Sequence, residues 1–214
     1  MSGALRDVRS PGGLEGPGPV LLLLHGYGSH ENDLTPLVPE LGLDLPWASL
    51  RAPIGLPGGG AAWVPITTPG RPEPGLVIEA TEAIWSWVDA NLDPATPVVP
   101  VGFSQGGLMA TQLLRTRSDR VLAPVVLGGF VLDAPQPADE ELARLRPAAF
   151  WGRGAEDQVI AAHAVERTER WLPQHTTLTA HVYPGLAHGI NAAEVDHVRE
   201  FVENFGGARH GVQH

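Results

Sequence analysis

The segment Val98–Leu108 constrains the fold of this chain more than any other stretch, because a serine stands between two glycines where an apolar run meets a helical pattern. Its sequence, VVPVGFSQGGL, has the G-x-S-x-G spacing of a sharp turn between a strand and a helix. Gly102 and Gly106 lack the Cβ atoms that would clash in such a turn, so Ser104 can present its hydroxyl at a helix N-terminus. The alternative is a purely structural turn, since a chain with 26 glycines also produces this spacing by chance.

Apolar runs bounded by Gly or Pro predict six strands, at Val20–Leu24, Trp47–Leu50, Val98–Val101, Leu122–Leu127, Ala148–Trp151 and Leu178–Tyr183. Such continuous runs are typical of parallel strands that are covered on both faces. Helical patterns lie between them, at Glu79–Asn91, Gln105–Thr116, Ala161–Leu172 and Asn191–Phe205. The last begins with the spacing of a capping box, Asn191 with Glu194 three residues on. This alternation predicts an α/β fold, a mostly parallel central sheet flanked by helices, with ligands at the carboxyl ends of the strands.

The length of 214 residues predicts one domain. Glycine and proline concentrate in Pro11–Pro19 and in Pro53–Gly75, which predicts a loose leader and a long loop. We therefore predict a flexible leader over residues 1–17, a single domain over 18–206 and a mobile tail over 207–214.

The formal charge of -10 argues against a nucleic-acid partner, because phosphate binding requires clustered basic groups. No apolar run approaches the roughly 18 residues of a membrane-spanning helix, so we predict no stable membrane insertion. Residues Met1–Asp7 lack the apolar core of a signal peptide, which predicts a cytoplasmic location. The sequence leaves a homodimer open.

The residue types that are missing exclude several chemistries. The chain has no cysteine, which removes thiolate nucleophiles and thiolate metal sites, and all 14 basic residues are arginine, which removes lysine Schiff bases. The nine histidines include no H-E-x-x-H spacing, so we predict no catalytic metal and no cofactor. Serine chemistry with a histidine base remains.

A serine hydroxyl becomes a good nucleophile when a nearby base takes its proton, and histidine suits that task near neutral pH. In hydrolases with this turn the order along the chain is serine, acid, histidine. His188 fits this order best, because it lies in the glycine-flanked loop Tyr183–Gly189, directly after the last predicted strand. Most other histidines after Ser104 fall in predicted strands, helices or the C-terminal tail.

The acid that orients the histidine should follow a strand between Ser104 and His188. Asp157 follows a predicted strand and a small-residue loop and precedes two aliphatic residues, so we favour it. Asp133 follows another strand and is the main alternative, and Glu156 is a more distant one.

Acyl transfer also needs N–H donors for the oxyanion of the tetrahedral intermediate. The residue after the nucleophile, Gln105, supplies one backbone N–H. The second is expected in the loop after an early strand, where Leu24–Gly28 places Tyr27 between glycines that permit a close approach of the backbone. We therefore choose the N–H groups of Tyr27 and Gln105.

With these motifs the chain resembles the phospholipase/carboxylesterase family of α/β hydrolases, which includes acyl-protein thioesterases and small bacterial carboxylesterases. The matching segments are LLHGYG at 23–28 with Glu31 and Asp33, RAP at 51–53, GFSQGG at 102–107, and the segments around Asp157 and His188. The resemblance implies the α/β-hydrolase fold, with Ser104, Asp157 and His188 as a triad and Tyr27 and Gln105 as the oxyanion hole. His25 and Asp33 would have structural roles in the oxyanion loop.

The resemblance also implies that Gly60–Pro65 lies beside an acyl groove, with Trp63 as a substrate-binding residue. Phe130, after two glycines, is a second substrate-binding candidate. Both have an alternative as core residues. The family often has an aromatic residue just before the tryptophan, whereas this chain has Ala61–Ala62, so its groove would be roomier or less defined.

The leading hypothesis is a serine carboxylesterase that hydrolyses a small-molecule ester through an acyl-enzyme. A chain of 214 residues has no room for a large cap domain, which favours short or medium acyl chains. A thioesterase acting on acylated proteins or acyl-CoA, and an acyl transferase, would use the same triad. From other classes, a non-catalytic binding protein on a hydrolase scaffold and a metal-dependent hydrolase are the alternatives.

Overall fold

A seven-stranded sheet forms the centre of the computed structural model, which describes residues 5–16 and 18–206. In chain order the strands are β1 (Asp7–Arg9), β2 (Val20–Leu24), β3 (Trp47–Leu50), β4 (Ile54–Gly55), β5 (Ala61–Ala62), β6 (Val98–Phe103), β7 (Val125–Leu127), β8 (Ala148–Gly154) and β9 (Thr177–Tyr183). The central sheet has the order β1-β3-β2-β6-β7-β8-β9 and is parallel except for β1. Strands β4 and β5 form a separate antiparallel pair.

Helices cover both faces of the sheet. They are α1 (Leu37–Leu41), α2 (Pro74–Asn91), α3 (Gln105–Thr116), α4 (Asp139–Leu145), α5 (Ala162–His175) and α6 (Ala192–Gly206). Helices α2 to α5 contribute to one hydrophobic cluster, and α1 and α6 contribute to the other. The predicted α/β fold with helices on both faces is confirmed, and the described residues form no large cap domain. None of the helices in this part of the chain is long and apolar enough to cross a membrane.

Strand β2 explains why continuous apolar runs predicted the sheet well. Its five residues are fully buried, and alternate side chains enter different clusters: Leu22 and Leu24 face one, Leu21 and Leu23 the other. Because successive side chains of a strand point to opposite faces, covering both faces with helices requires an apolar residue at every position.

The prediction of a flexible leader over residues 1–17 is wrong for residues 7–9, which form strand β1. Asp7–Arg9 pair antiparallel with β3, and the preceding Leu5 is buried in the core. The Trp87 indole donates a hydrogen bond to the Asp7 carboxylate at 3.2 Å, which ties β1 to α2. A three-residue edge strand with two charged side chains has no apolar run, so its sequence resembles a loop. Residues 1–4 and 17, and the predicted tail over 207–214, lie outside the described residues.

Helix α2 begins five residues before the predicted start, because the Glu73 carboxylate caps it by accepting the Leu76 N–H at 2.8 Å. The sequence did not predict the short helices α1 and α4 or the β4–β5 pair. Their two to seven residues are too few for a hydrophobic period to be visible.

Of the two hydrogen bonds in the predicted capping box of α6, the described residues form one. The Asn191 side chain accepts the Glu194 N–H at 2.9 Å, as a cap should. The Glu194 side chain, however, is fully buried, and neither carboxyl oxygen has a hydrogen-bond partner among the described residues. Burial raises the pKa of Glu194 to about 8, because an apolar environment disfavours the charged form.

We predict that Glu194→Gln stabilises the fold increasingly as pH rises. An unfolded glutamate ionises near its ordinary value of 4.5, whereas folding keeps Glu194 protonated up to about pH 8. Below pH 4.5 the side chain is protonated in both states, so it does not lower the free energy of unfolding. Between pH 4.5 and about 8 only the unfolded state loses the proton, so the free energy of unfolding falls as pH rises. The variant lacks this loss, so its advantage should reach on the order of 4 kcal/mol near pH 8. Thermal melts across this range test it.

Glu203→Gln serves as the control for these melts, because Glu203 is exposed on the same helix. The control should melt like the parent protein throughout. A constant difference between Glu194→Gln and the parent from pH 5 to pH 8 would contradict a buried, protonated Glu194.

Candidate active site

Ser104 stands on the turn between β6 and α3 in a strained backbone conformation. Its φ of 56° and ψ of -115° are unusual for a residue with a side chain. The Ser104 N–H donates to the Leu127 carbonyl at 2.8 Å, and the Ser104 carbonyl accepts from the first turn of α3. These bonds hold the turn in place from both sides.

The two glycines around Ser104 are required by close backbone contacts. A Cβ atom at Gly102 would lie 2.1 Å from the Gly106 carbonyl oxygen. A Cβ atom at Gly106 would lie 1.8 Å from the carbonyl oxygen of Leu24, the last residue of β2. No side chain fits at these distances, so the turn can close only on glycine.

The structure brings the three predicted catalytic side chains into one hydrogen-bonded chain. His188 Nε2 lies 2.9 Å from Ser104 Oγ, and His188 Nδ1 lies 2.7 Å from Asp157 Oδ2. The imidazole lies beside the Phe103 ring, with their centroids 4.8 Å apart. With Nδ1–H donating to the carboxylate, Nε2 is free to accept the serine proton.

Backbone amides hold the Asp157 carboxylate. Its Oδ1 accepts the N–H of Val159 at 2.8 Å and of Ile160 at 3.2 Å, which leaves Oδ2 for His188. These are the two aliphatic residues that follow Asp157 in the sequence. The alternative acid, Asp133, is largely exposed and lies 3.8 Å from the Arg167 guanidinium.

The loops that carry the acid and the histidine are bonded to each other. The N–H of Ala155 donates to the Tyr183 carbonyl and the N–H of Glu156 to the Leu186 carbonyl, both at 2.9 Å. Glu156, the third candidate acid, is exposed and takes part through its backbone. The separation of Asp157 and His188 is therefore set by the backbone as well as by their own contact.

The N–H groups of Tyr27 and Gln105 are both available to a ligand, since neither donates to a protein acceptor in the described part of the chain. Gln105 is the first residue of α3, where amides have no partner within the helix. The Tyr27 loop lies against the nucleophile turn, because a Cβ atom at Gly26 would be 3.4 Å from the Ser104 Cβ.

His25 shapes the Tyr27 loop, as the sequence predicted. Its Nδ1–H donates to the Gly26 carbonyl at 2.7 Å, and its Nε2 accepts the Ala52 N–H at 3.1 Å. Burial lowers the pKa of His25, which keeps the ring neutral with one donor and one acceptor. Arg51 adds an ion pair with Glu31 at 2.7 Å and a hydrogen bond to the Gly59 carbonyl. Asp33 contributes through its backbone, whose N–H donates to the His30 carbonyl at 3.1 Å.

The Gln105 side chain has a role that the sequence analysis missed. Its Oε1 accepts the Trp63 N–H at 2.7 Å and the Val64 N–H at 3.4 Å, and its Nε2 donates to the Val64 carbonyl at 2.8 Å. The Trp63 indole in turn donates to the His25 carbonyl at 2.9 Å. These bonds connect the two candidate oxyanion segments. The signal for this role in the sequence was the long amide side chain directly after Ser104.

The two predicted substrate-binding side chains lie in the core. Trp63 is 1% exposed and Phe130 is 8% exposed, and both belong to the larger hydrophobic cluster. Trp63 also contributes to the floor of a groove of about 730 Å³ along α2, but Ser104 and His188 do not line that groove. Ala61 and Ala62 form β5, and the Ala61 carbonyl accepts the Gly28 N–H at 2.9 Å, so this segment supports the Tyr27 loop.

A mostly parallel sheet with a serine on the turn after β6 defines an α/β hydrolase. The chain belongs to the phospholipase/carboxylesterase family, whose profile matches residues 15–205. This confirms the resemblance inferred from the motifs.

Solved structures share this fold at low sequence identity. The Bacillus cereus carboxylesterase is 22% identical over 94% of both chains, with a TM-score of 0.78. A Mesorhizobium loti carboxylesterase is 21% identical over 86% of this chain and 88% of its own, with a TM-score of 0.71. SOBER1 of Arabidopsis thaliana is 19% identical over 87% of this chain and 98% of its own, with a TM-score of 0.68. A search among curated proteins returns no significant match.

We predict that Gly106→Ala strongly destabilises the protein, because the new Cβ atom overlaps the backbone of β2. The loss should be on the order of 3 kcal/mol or more, visible as a large fall in melting temperature. Gly55→Ala is the control, because nothing lies within 4 Å of a Cβ atom there. Equal melting temperatures for the two variants would contradict the close contact of α3 with β2.

Proposed function

We propose that this protein is a serine carboxylesterase that hydrolyses short to medium acyl carboxylic esters through an acyl-enzyme. The observation that carries the proposal is the chain of two hydrogen bonds from Ser104 Oγ through His188 to Asp157. Two unbonded amides, of Tyr27 and Gln105, lie on the segments that flank the serine.

In the proposed reaction, His188 Nε2 takes the Ser104 proton as Oγ attacks the ester carbonyl carbon. Asp157 keeps the imidazole oriented and stabilises its protonated form, and the amides of Tyr27 and Gln105 donate to the oxyanion. The protonated His188 then gives its proton to the leaving alcohol, and the acyl group stays on Ser104. Water, deprotonated by His188, attacks the acyl carbonyl carbon, and His188 returns that proton to Ser104 Oγ as the acid is released. These steps require no metal or cofactor.

The surroundings of the serine support small acyl groups. Tyr27 is 44% exposed and Val159 is 61% exposed, and they belong to the oxyanion loop and the acid loop. Within the described residues no cap covers these side chains, so a bound acyl chain would have a shallow, open apolar surface. Such a surface offers a long chain little burial beyond its first carbons.

We predict that Ser104→Ala abolishes hydrolysis of p-nitrophenyl acetate and butyrate, with a loss of up to about 10⁶-fold in kcat. The parent protein should react with a fluorophosphonate probe, and the variant should not. Activity that survives Ser104→Ala would exclude the proposal, and loss of parent activity in a chelator would indicate a metal-dependent hydrolase instead. A folded parent protein that does not react with the probe would favour a binding function.

Matched oxoesters and thioesters of graded acyl length separate an esterase from a thioesterase. We expect higher kcat/KM for oxoesters and a maximum at short or medium chains. Ester formation from an added alcohol, at the expense of the acid, would reveal acyl transfer.

We also predict that Gln105→Leu lowers kcat by roughly 10 to 100-fold with little change in KM. The variant leaves buried backbone groups of Trp63 and Val64 without partners, and a shift of about 1 Å in the oxyanion donors is costly. Gln112→Leu, a buried glutamine on the same helix without these bonds, should keep its kcat. An unchanged kcat in Gln105→Leu would show that the side-chain bonds do not position the site.

A further inference from the structure

Glu194 is a buried acid that the proposed reaction does not use. It lies in the first turn of α6, six residues after His188, and its side chain is fully buried. Both carboxyl oxygens lack hydrogen-bond partners among the residues that the structure describes. Burying a carboxyl group without partners costs stability. Glu194 is therefore a candidate for a functional role.

The sheet leaves room for this carboxyl group. A Cβ atom at Gly152 in β8 would lie 2.0 Å from Glu194 Oε1, so only glycine leaves the space that the carboxyl group occupies. The small cavity beside it is lined by apolar side chains, including Leu37 of α1, Val101 of β6 and Leu127 of β7. This environment fits a neutral carboxylic acid and not a carboxylate.

Glu194 connects with His188 in two ways. Through the chain, its N–H donates to the side chain of Asn191, the residue of the histidine loop that directly precedes α6. Through the sheet, Gly152 accepts the Gly128 N–H at 2.8 Å, and a Cβ atom at Gly128 would lie 3.5 Å from the His188 ring. The carboxyl group therefore lies between α6, which follows the histidine loop, and the ends of β7 and β8, which are close to the His188 ring.

Among the described residues, Glu194 forms no ion pair that would stabilise its ionised form. Apolar side chains from α1, β6 and β7 and Gly152 of β8 adjoin the carboxyl group, and titratable side chains lie nearby on β9 and α6. His181 of β9 is the strand partner of Gly152, and its ring stacks on His197 of α6 with the centroids 4.0 Å apart. Burial lowers the pKa of His181, so this ring carries no charge at alkaline pH. The ionisable group that its charge reaches is the Tyr183 phenol of β9, whose pKa is raised by burial first and then by Glu194. The Tyr183 hydroxyl lies 3.0 Å from His197 Nδ1 on the next turn of α6.

We propose that Glu194 is a positioning residue for His188 that works only as a neutral acid, and that its ionisation withdraws the base from Ser104 at alkaline pH. The proposal rests on the proposed esterase function. A carboxylate needs water or donors, and no described group bonds to this carboxyl group, so on ionisation the first turn of α6 must move toward solvent. The attached histidine loop moves with it, and a displacement of about 1 Å costs on the order of 10²-fold in rate.

The test is the pH dependence of kcat from about pH 6 to pH 10 for the parent, Glu194→Gln and the exposed control Glu203→Gln. We expect kcat of the parent and of the control to fall by roughly tenfold or more between about pH 7 and pH 9.5. Glu194→Gln, which is neutral at every pH, should stay within about twofold over this range. The rate of fluorophosphonate labelling of Ser104 should follow the same pattern.

Near-ultraviolet circular dichroism at each pH separates positioning from folding. We expect the parent protein to keep its folded signal where its kcat has already fallen. The proposal is overturned if Glu194→Gln loses activity at alkaline pH like the parent, if the parent shows no alkaline fall, or if the fall coincides with global unfolding. Glu194→Met, of similar volume, replaces the glutamine variant if that variant does not fold. A parent protein that is unlabelled at pH 7 would instead refute the esterase function itself.

Discussion

The contact between the start of α3 and the end of β2 is the constraint on which the rest of the site depends. With only hydrogen atoms at Gly102 and Gly106, the helix backbone can lie directly against the Leu24 carbonyl. That contact places Ser104 at a positive φ above the strand ends. It also fixes where β2 ends and the loop through His25 and Tyr27 begins. One backbone contact thus sets the separation between the nucleophile and its candidate oxyanion donors.

The loops around the serine are ordered by polar groups instead of apolar packing. Gln105, His25 and Trp63 each satisfy a backbone group of a neighbouring loop. Irregular segments have no helix or sheet ladder for their amides and carbonyls, so a buried loop needs such side-chain partners. The same rule explains the acid and histidine loops, whose backbones bond directly to each other.

The sequence predicted the parts of the structure that follow from hydrophobic patterning or from a local motif. The bounds of β2, β3 and α3 match the predictions, because long apolar or amphipathic runs end at Gly, Pro or charged residues. Strand β1 was missed, since its pairing with β3 depends on a partner 41 residues away and not on its own composition. Ser104, Asp157 and His188 were predicted together from spacing and order, and their side chains lie within hydrogen-bond distance of one another. The sequence left the choice between core and substrate contact open for Trp63 and Phe130, and it did not give the partners of the Gln105 side chain, because both depend on how separate loops meet in space.

Glu194 shows why a local pattern can mislead at a functional site. Asn191 and Glu194 have the spacing of a capping box, which would place the glutamate side chain at the helix N-terminus near solvent. Gly152 removes the one side chain that would prevent the carboxyl group from turning inward, so two residues 42 positions apart decide its environment together. Beside the same histidine loop the fold therefore carries a strained serine and an acid without a hydrogen-bond partner in the described part of the chain, and both cost stability. The apolar clusters on the two faces of the sheet offset these costs.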